Sequence, residues 1–408
     1  MGAGASSASE RLVALAMVPG VGPVLARRLL ERFGGAEAVF EASDTSLQSV
    51  PGIGRARSAS VRSAMRDAVD AAAREMDRAE AEGVRVTTID QAAYPPLLAG
   101  LPDAPLVLWS RGDLASLCGA YTVAIVGTRS ATAYGIEQAE RFGAVLSQAG
   151  LWVVSGGARG IDSAAHRAAT RIGRPTVAVM GCGLARCYPP ENHGLFAEIV
   201  ERGGVVLAEV PVDRPPAPDQ FPARNRVISG LSLGTLVIEA PEGSGALITA
   251  RLASEEHNRE VMALPGRVDS PASSGANALI RRGEAALATS PADVLEQLEG
   301  PARHLFEGTH SARFAPDQVS LGVSVGDGDV ARAEAMEPKP ASPVGELTEA
   351  QRTVLEVCHQ GPATLDEVCG RSGLAASAAL SAITVLEMRR VIRRDGPRFE
   401  VRRGDGSR

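Results

Sequence analysis

Between residues 84 and 298 the chain alternates short, wholly apolar runs with longer stretches in which apolar and small residues recur at helical spacing. The runs LVLW, TVAIVG, LWVVSG, TVAVMG, VVLAEV, TLVIEA and VMALPG read as strands. Spans such as Gly135–Ala149, Ile161–Ile172 and Ala246–Asn258 read as helices. A strand that is apolar on both faces must be covered on both faces. The pattern therefore predicts an α/β fold with a doubly wound, mostly parallel sheet. Ligands of such sheets sit beyond the carboxyl ends of the strands, near the point where strand order reverses. Several of the predicted strands end in glycine, so glycine turns fall where ligand loops belong.

The flanks follow other patterns. Residues 1–83 read as helical and hold two related segments, MVPGVGPVLARRLL and SVPGIGRARSASV. Each runs apolar, Pro-Gly, apolar, Gly, then a helix with small and basic positions, the layout of a tandem helix-hairpin-helix. Such hairpins can offer backbone N–H groups to a DNA phosphate, with Arg27, Arg28, Arg55 and Arg57 as supporting charge, or can serve only to pack two helix pairs. From Pro301 the periodicity dissolves into Gly, Pro, Ala and acidic residues, which predicts a flexible linker over 301–345. Residues 346–408 then read as a helix, a turn at Gly361-Pro362, a short helix, a turn at Gly373, a longer helix, and two short strands around Asp395-Gly396. That order is a winged helix-turn-helix. Its third helix, LAASAALSAITVLEM, has no basic residue, so its face suits protein–protein packing at least as well as DNA reading. Arg389, Arg390, Arg393 and Arg394 follow it. The domain plan is 1–83 helical, 84–300 α/β, 301–345 linker and 346–408 winged helix.

Composition narrows the chemistry. The chain has 408 residues, 45% of them hydrophobic and only 3% aromatic, so its core is aliphatic. The formal net charge is -6, and any anion must be held by local arginines and not by a general positive field. Lys339 is the one lysine in the sequence, and it lies in the proline-rich linker. Schiff-base chemistry and a Walker-type phosphate loop therefore have no candidate lysine. Five cysteines (Cys118, Cys182, Cys187, Cys358, Cys369) without a CxxC fit a reducing compartment better than a disulfide or zinc framework. The first residues, MGAGASSASE, lack the pattern of a secretory signal; Gly2 and Ser6 match the loose myristoylation pattern, which is too short to weigh against an unmodified terminus. No apolar run is long enough to span a bilayer.

Four segments at predicted strand ends carry the donors an anion needs. Gly127, Thr128, Arg129 and Ser130 follow the TVAIV strand. Gly156, Gly157, Arg159 and Gly160 follow LWVVS. Arg224, Asn225 and Arg226 open a helix in QFPARNRVISGLS, with Phe221 just before them. Ser244, Gly245 and Thr249 lead into a helix in EAPEGSGALITA. Any one of them could be a tight strand–helix connection with a surface arginine. Four at one sheet edge point to an extended phosphate site.

Taken together, VGTRSATAYG, SGGARGIDSAAH, FPARNRVISGLS, VIEAPEGSGALITA and ALPGRVDSPASSGANALIRRGEAAL resemble, in order and spacing, the DNA-processing protein A (DprA/Smf) family. The resemblance spans the α/β segment, which it identifies as a Rossmann-like domain. It extends to the helical N-terminal domain of helix-hairpin-helix (SAM-like) type and to the C-terminal winged helix. It implies a cytoplasmic protein of natural transformation and competence that binds and protects incoming single-stranded DNA and forms homodimers. It further implies relief of the block by single-strand binding protein and loading of the RecA recombinase. The implied protein is a mediator and not an enzyme, with no cofactor, no metal and no membrane partner. By the same resemblance, Gly127, Thr128 and Arg129 match the first DNA-contacting loop, with the arginine on a phosphate. Gly156, Gly157, Arg159 and Gly160 match the second, Arg224, Asn225 and Arg226 the third, and Ser244, Gly245 and Thr249 the fourth. Phe221 becomes a platform for a base, since every base offers a π-face.

The chain departs from the family pattern in places. Ser155-Gly156-Gly157-Ala158-Arg159-Gly160 stands for the usual Ser-Gly-Leu-Ala-Arg-Gly. Ala246 stands where a serine is usual, which removes one hydroxyl donor, and AEVP stands for Ser-Glu-x-Pro. Asp162 and His166, four apart on one helix face, could act as an acid–base pair. Their plainer roles are a charge or cap at the helix start for Asp162 and a buried hydrogen-bonding histidine for His166. No GxSxG elbow occurs. Two further readings stay open. One is a phosphoribohydrolase-like enzyme of the same superfamily, for which Glu239 is the acid to watch, although the order Gly-Gly-x-Gly-Thr-x-x-Glu is absent. The other is a nucleotide sensor that binds without turnover.

Overall fold

A computed structural model of the chain describes residues 3–306, 349–374, 391–395 and 398–401, with Ala379, Ala382, Ile383 and Leu386 between them. The chain forms two compact units, divided between residues 314 and 315. Gly2, most of the expected linker with Lys339, and Arg389 and Arg390 lie outside the described residues.

The first unit opens with five helices: α1 (Ala3–Met17), α2 (Pro23–Phe33), α3 (Ala36–Glu41), α4 (Asp44–Gln48) and α5 (Arg55–Ala81). The two Pro-Gly segments are the tight connections α1–α2 and α4–α5. Each turns through a glycine in the left-handed region, Gly20 at φ 80° and Gly52 at φ 97°. Val18, Val21, Val50 and Ile53 enter the core beneath them. Arg57 ties the two hairpins together by donating to Gly52 O at 2.9 Å and Gly20 O at 2.5 Å. Arg28 donates to Pro51 O and Arg27 to Ala99 O. Three of the four arginines that could have supported a DNA phosphate thus donate to backbone carbonyls.

The helical segment shares its core with the sheet. Glu75 on α5 accepts from Val212 N at 2.6 Å, and one apolar cluster runs from Leu15 and Leu29 to Trp109, Met180 and Val206.

The remaining elements of this unit are β1 (Arg85–Thr88), α6 (Pro96–Ala99), β2 (Val107–Arg111), β3 (Thr122–Val126), α7 (Ala133–Gln148), β4 (Trp152–Ser155), α8 (Ile161–Arg171), β5 (Thr176–Met180), α9 (His193–Glu201), β6 (Val205–Ala208), α10 (Gln220–Gly230), β7 (Gly234–Val237), α11 (Gly245–Arg251), β8 (Glu260–Ala263), α12 (Ser274–Arg282), β9 (Ala286–Leu287) and α13 (Pro291–Phe306). All seven strands read from the apolar runs form. The sheet order is β1-β2-β6-β5-β4-β3-β7-β8-β9. Pairs from β6 through β9 are parallel, and β1–β2 and β2–β6 are antiparallel. From β3 the chain winds one way through β4, β5 and β6, then returns to the other side of β3 as β7. The carboxyl ends of β3 and β7 are therefore the topological switch point.

The edges β1 and β9 were not foreseen: RVTT is half polar, and Ala286–Leu287 is too short to show a period. Where a proline suggested a linker, α13 continues past Pro301 to Phe306. Pro301 removes one main-chain donor without ending the helix. Among the described residues no helix is long and apolar enough to cross a membrane.

The second unit has helices at Glu349–His359 and Leu365–Ser372 and an antiparallel sheet, β10 (Ala363–Thr364), β11 (Ile392–Asp395) and β12 (Arg398–Val401), in the order β10-β12-β11. Thr364 and Glu367 cap the second helix reciprocally: Thr364 N donates to the Glu367 carboxylate and Glu367 N to Thr364 Oγ1. Of the expected third helix, Ala379, Ala382, Ile383 and Leu386 are helical and buried. Their spacing of three and four puts them on one face, and they join Val354, Val368 and Phe399 in the core of this unit.

Candidate functional site

The loops after β3 and β7 and the start of α10 enclose a cleft of about 620 Å³ at the switch point. The β3 loop reaches it because Gly127 lets three chains meet. A Cβ there would lie 2.4 Å from Ile161 Cγ1 and 2.8 Å from Glu239 O. Thr128 N donates to Glu239 O at 2.7 Å, and Ile161 N donates to Thr128 O at 3.3 Å. The β3, β4 and β7 loops are thus pinned to one another by main-chain bonds.

Of the nominated residues, Gly127, Thr128, Arg129, Phe221, Arg224, Asn225, Ser244, Gly245 and Thr249 line this cleft. A smaller recess beside it is lined by Gly156, Arg159, Gly181, Tyr188 and Phe221, with Arg129 and Arg224 on the shared wall. Ser130, Gly157, Gly160 and Arg226 line neither. Ser130 is exposed, and its amide donates to Thr128 Oγ1 at 3.2 Å.

The arginines have four different fates. Arg129 is exposed, has no carboxylate partner among the described residues, and lies over Phe221 with its guanidinium carbon 5.1 Å from the ring centroid. This is cation–π distance. Arg159 is paired with Glu191, which holds the Arg159 proton more tightly and the Glu191 carboxyl below its ordinary range. Arg224 is 5% exposed; it donates to Gly156 O at 2.7 Å and to Val179 O. Burial draws its pKa down to about 10, opposed by the charge of Asp162. Arg226 turns away from the cleft to pair with Glu209 and donate to Asp103 O. It therefore does not share the cleft with Arg224, for a geometric reason: residues two apart on a helix point to nearly opposite sides.

The glycine turn after β4 also differs from expectation. Two of its amides are already engaged, because Asp162 on α8 reaches back to accept from Gly156 N at 3.2 Å and Ala158 N at 3.3 Å. Asp162 therefore organises the turn and does not cap α8. Burial raises its pKa, opposed first by the charge of Arg224 and then by these hydrogen bonds. The glycines serve close approach. A Cβ on Gly156 would lie 2.6 Å from the Arg224 guanidinium, one on Gly157 2.7 Å from Phe196, and one on Gly160 2.4 Å from Thr128 O.

The remaining polar groups are mostly structural. Ser244 Oγ accepts from Ala246 N and caps α11. Asn225 accepts from Arg224 and donates to Gly245 O, joining α10 to the β7 loop. Thr249 is 1% exposed on the cleft wall. Glu239 does not line the cleft; its two carboxylate oxygens accept from Thr132 N at 2.9 Å and Thr132 Oγ1 at 2.7 Å at the start of α7. His166 is fully buried against Thr176 Oγ1 at 2.8 Å. Ser229, His257 and Asp103 form a chain, Oγ to Nδ1 at 2.8 Å and Nε2 to carboxylate at 3.2 Å. Ser229 and His257 are both 0% exposed, so no substrate can reach this serine.

Tyr188 is the site residue that sequence reasoning missed. It arrives on the loop after β5, and its ring lies 5.4 Å from that of Phe221 at 46°. Its signal was the Tyr-Pro pair closing a glycine-containing strand end, in a chain otherwise poor in aromatics.

Comparison with known proteins places this cleft in context. Residues 85–299 match the family described as DNA recombination-mediator protein A, residues 12–67 a SAM-like helix-hairpin-helix tandem, and residues 337–396 the DprA winged helix domain. The chain is 32% identical to Protein Smf of Synechocystis over 98% of its own length and 100% of that protein. It is 38% identical to Protein Smf of Escherichia coli over 63% of its length and 70% of that protein. The structure of DNA processing protein A from Streptococcus pneumoniae superposes with a TM-score of 0.61 at 32% identity, covering 71% of this chain and 97% of that one.

Proposed function

The chain belongs to the DNA recombination-mediator protein A family, the DprA/Smf proteins, and from that premise we propose that it binds single-stranded DNA at the switch-point cleft. In this reading it is a cytoplasmic homodimer that protects incoming DNA, relieves the block by single-strand binding protein and loads RecA during natural transformation. The observation that carries the reading is Arg129, an exposed guanidinium without a carboxylate partner among the described residues, beside an aromatic pair at the ligand edge of the sheet. A phosphate answers the guanidinium and a base answers a ring face, and single-stranded nucleic acid offers both. The enzyme reading is disfavoured because its acid, Glu239, is engaged by Thr132 outside the cleft.

Fluorescence anisotropy with a labelled deoxythymidine oligomer and a duplex of equal length tests the binding. We expect preference for the single strand and affinity that falls steeply with salt. Equal affinity for both, or none for either, rejects the reading. RecA strand exchange on oligomers coated with single-strand binding protein tests the mediator role, and no stimulation by this protein rejects it.

A further inference from the structure

We propose that Tyr188 is a second base platform, so that Tyr188 and Phe221 together hold two nucleobases of a bound strand. The inference rests on the reading of the cleft as a single-stranded-DNA site and adds a residue and a mode of contact to it.

Phe221 is fixed in place from behind. A Cβ on Gly181 would lie 2.8 Å from its Cδ1, so the ring is pressed against the end of β5. Tyr188 comes from the same strand end by a separate route and meets Phe221 at a tilt of 46°, within ordinary aromatic contact. Rings at this tilt present differently oriented faces, so one base cannot stack on both. Tyr188 lines the main cleft and the recess alike, and it is half-buried. The recess also carries Arg129, so a strand crossing it meets rings beside a positive group. Aromatic residues make up 3% of the chain, and the fully buried ones around this sheet, Tyr94, Trp109 and Phe142, line neither the cleft nor the recess. Tyr188 and Phe221 differ from these: Tyr188 packs against the core on one side, yet both rings stay half-buried where they line the cleft.

The experiment compares two oligomers of equal length, one of deoxythymidine and one with abasic sugars throughout, against the full chain. Tyr188→Leu keeps apolar bulk and removes the π-face. We expect it to weaken the deoxythymidine oligomer by about 5- to 100-fold and to leave the abasic oligomer unchanged. Equal weakening of both oligomers marks Tyr188 as merely structural and overturns the proposal, as does no weakening of either. If Tyr188→Leu melts below the assay temperature, Tyr188→Trp decides. Its larger face must raise the ratio of deoxythymidine to abasic affinity, and an unchanged ratio overturns the proposal. If the unsubstituted chain binds neither oligomer, the single-stranded-DNA reading itself fails and this inference falls with it. A chain that binds both oligomers while Tyr188→Leu leaves their ratio unaltered defeats this inference alone.

Discussion

Arg129 holds its guanidinium carbon 5.1 Å from the centroid of the Phe221 ring, and it is exposed where β3 ends. The contact parks a mobile side chain beside the cleft without neutralising it, because a ring face satisfies a cation only weakly at an exposed position. Arg129→Ala should therefore remove charge without removing structure. We expect at least a tenfold loss of single-stranded-DNA affinity at moderate salt and a plot of log affinity against log salt shallower by about 0.7. Anisotropy over a salt series measures both, and an unchanged slope would falsify a phosphate contact at this position.

Arg226→Ala should behave in the opposite way. Its side chain is 13% exposed and paired with Glu209, itself 14% exposed, away from the cleft. Removing one partner of a buried pair costs about 3–5 kcal/mol. A lower midpoint in thermal unfolding, with the salt slope of DNA binding unaltered, is the expected outcome. A shallower slope with normal stability would place Arg226 back on the DNA path.

Asp162 organises the β4 turn and sets the charge beside Arg224. Asp162→Ala leaves the amides of Gly156 and Ala158 without their acceptor and Arg224 buried without its counter-charge. We expect a loss of about 3–5 kcal/mol by denaturant titration. Asp162→Asn keeps an oxygen for the amides and should lose less than half of that. Equal losses would mean that the charge, and not the acceptor, is what holds the turn.

His166 makes stability depend on acid. Its Nδ1 donates to Thr176 Oγ1, whose own hydroxyl donates to Val153 O. Burial lowers its pKa from 6.5 to about 3. Between these values the unfolded chain binds a proton that the folded chain refuses. The stabilisation is therefore complete above pH 6.5 and is lost as pH falls toward 3, by at most ~5 kcal/mol. Unfolding free energy measured over this window should fall more steeply for the unsubstituted chain than for His166→Gln. Parallel curves would show that His166 does not carry the dependence.

The parts of this molecule that repeat a local rule are legible in the order of its amino acids. Strands buried on both faces need unbroken apolar runs, so TVAIV, TVAVM and their companions stand out, and the two PGxG hairpins do the same. Edges escape, because β1 is half polar and β9 is two residues long. The site divides along the same line. Its loops are identifiable because glycine at a strand end is needed wherever three chains crowd together, as at Gly127 and Gly156. Which guanidinium faces the ligand is not, since Arg159 is countered by Glu191, Arg224 by the carbonyls of Gly156 and Val179, and Arg226 by Glu209, all distant in sequence. Periodicity and turn chemistry are set by neighbours along the chain, and sequence alone determined the inner strands of the sheet, its doubly wound class and its ligand edge. Charge availability is set by burial and by partners brought together only when the chain folds, so tertiary structure alone showed which of the nominated arginines, Arg129, stays exposed without a carboxylate partner among the described residues, and set Tyr188 beside Phe221.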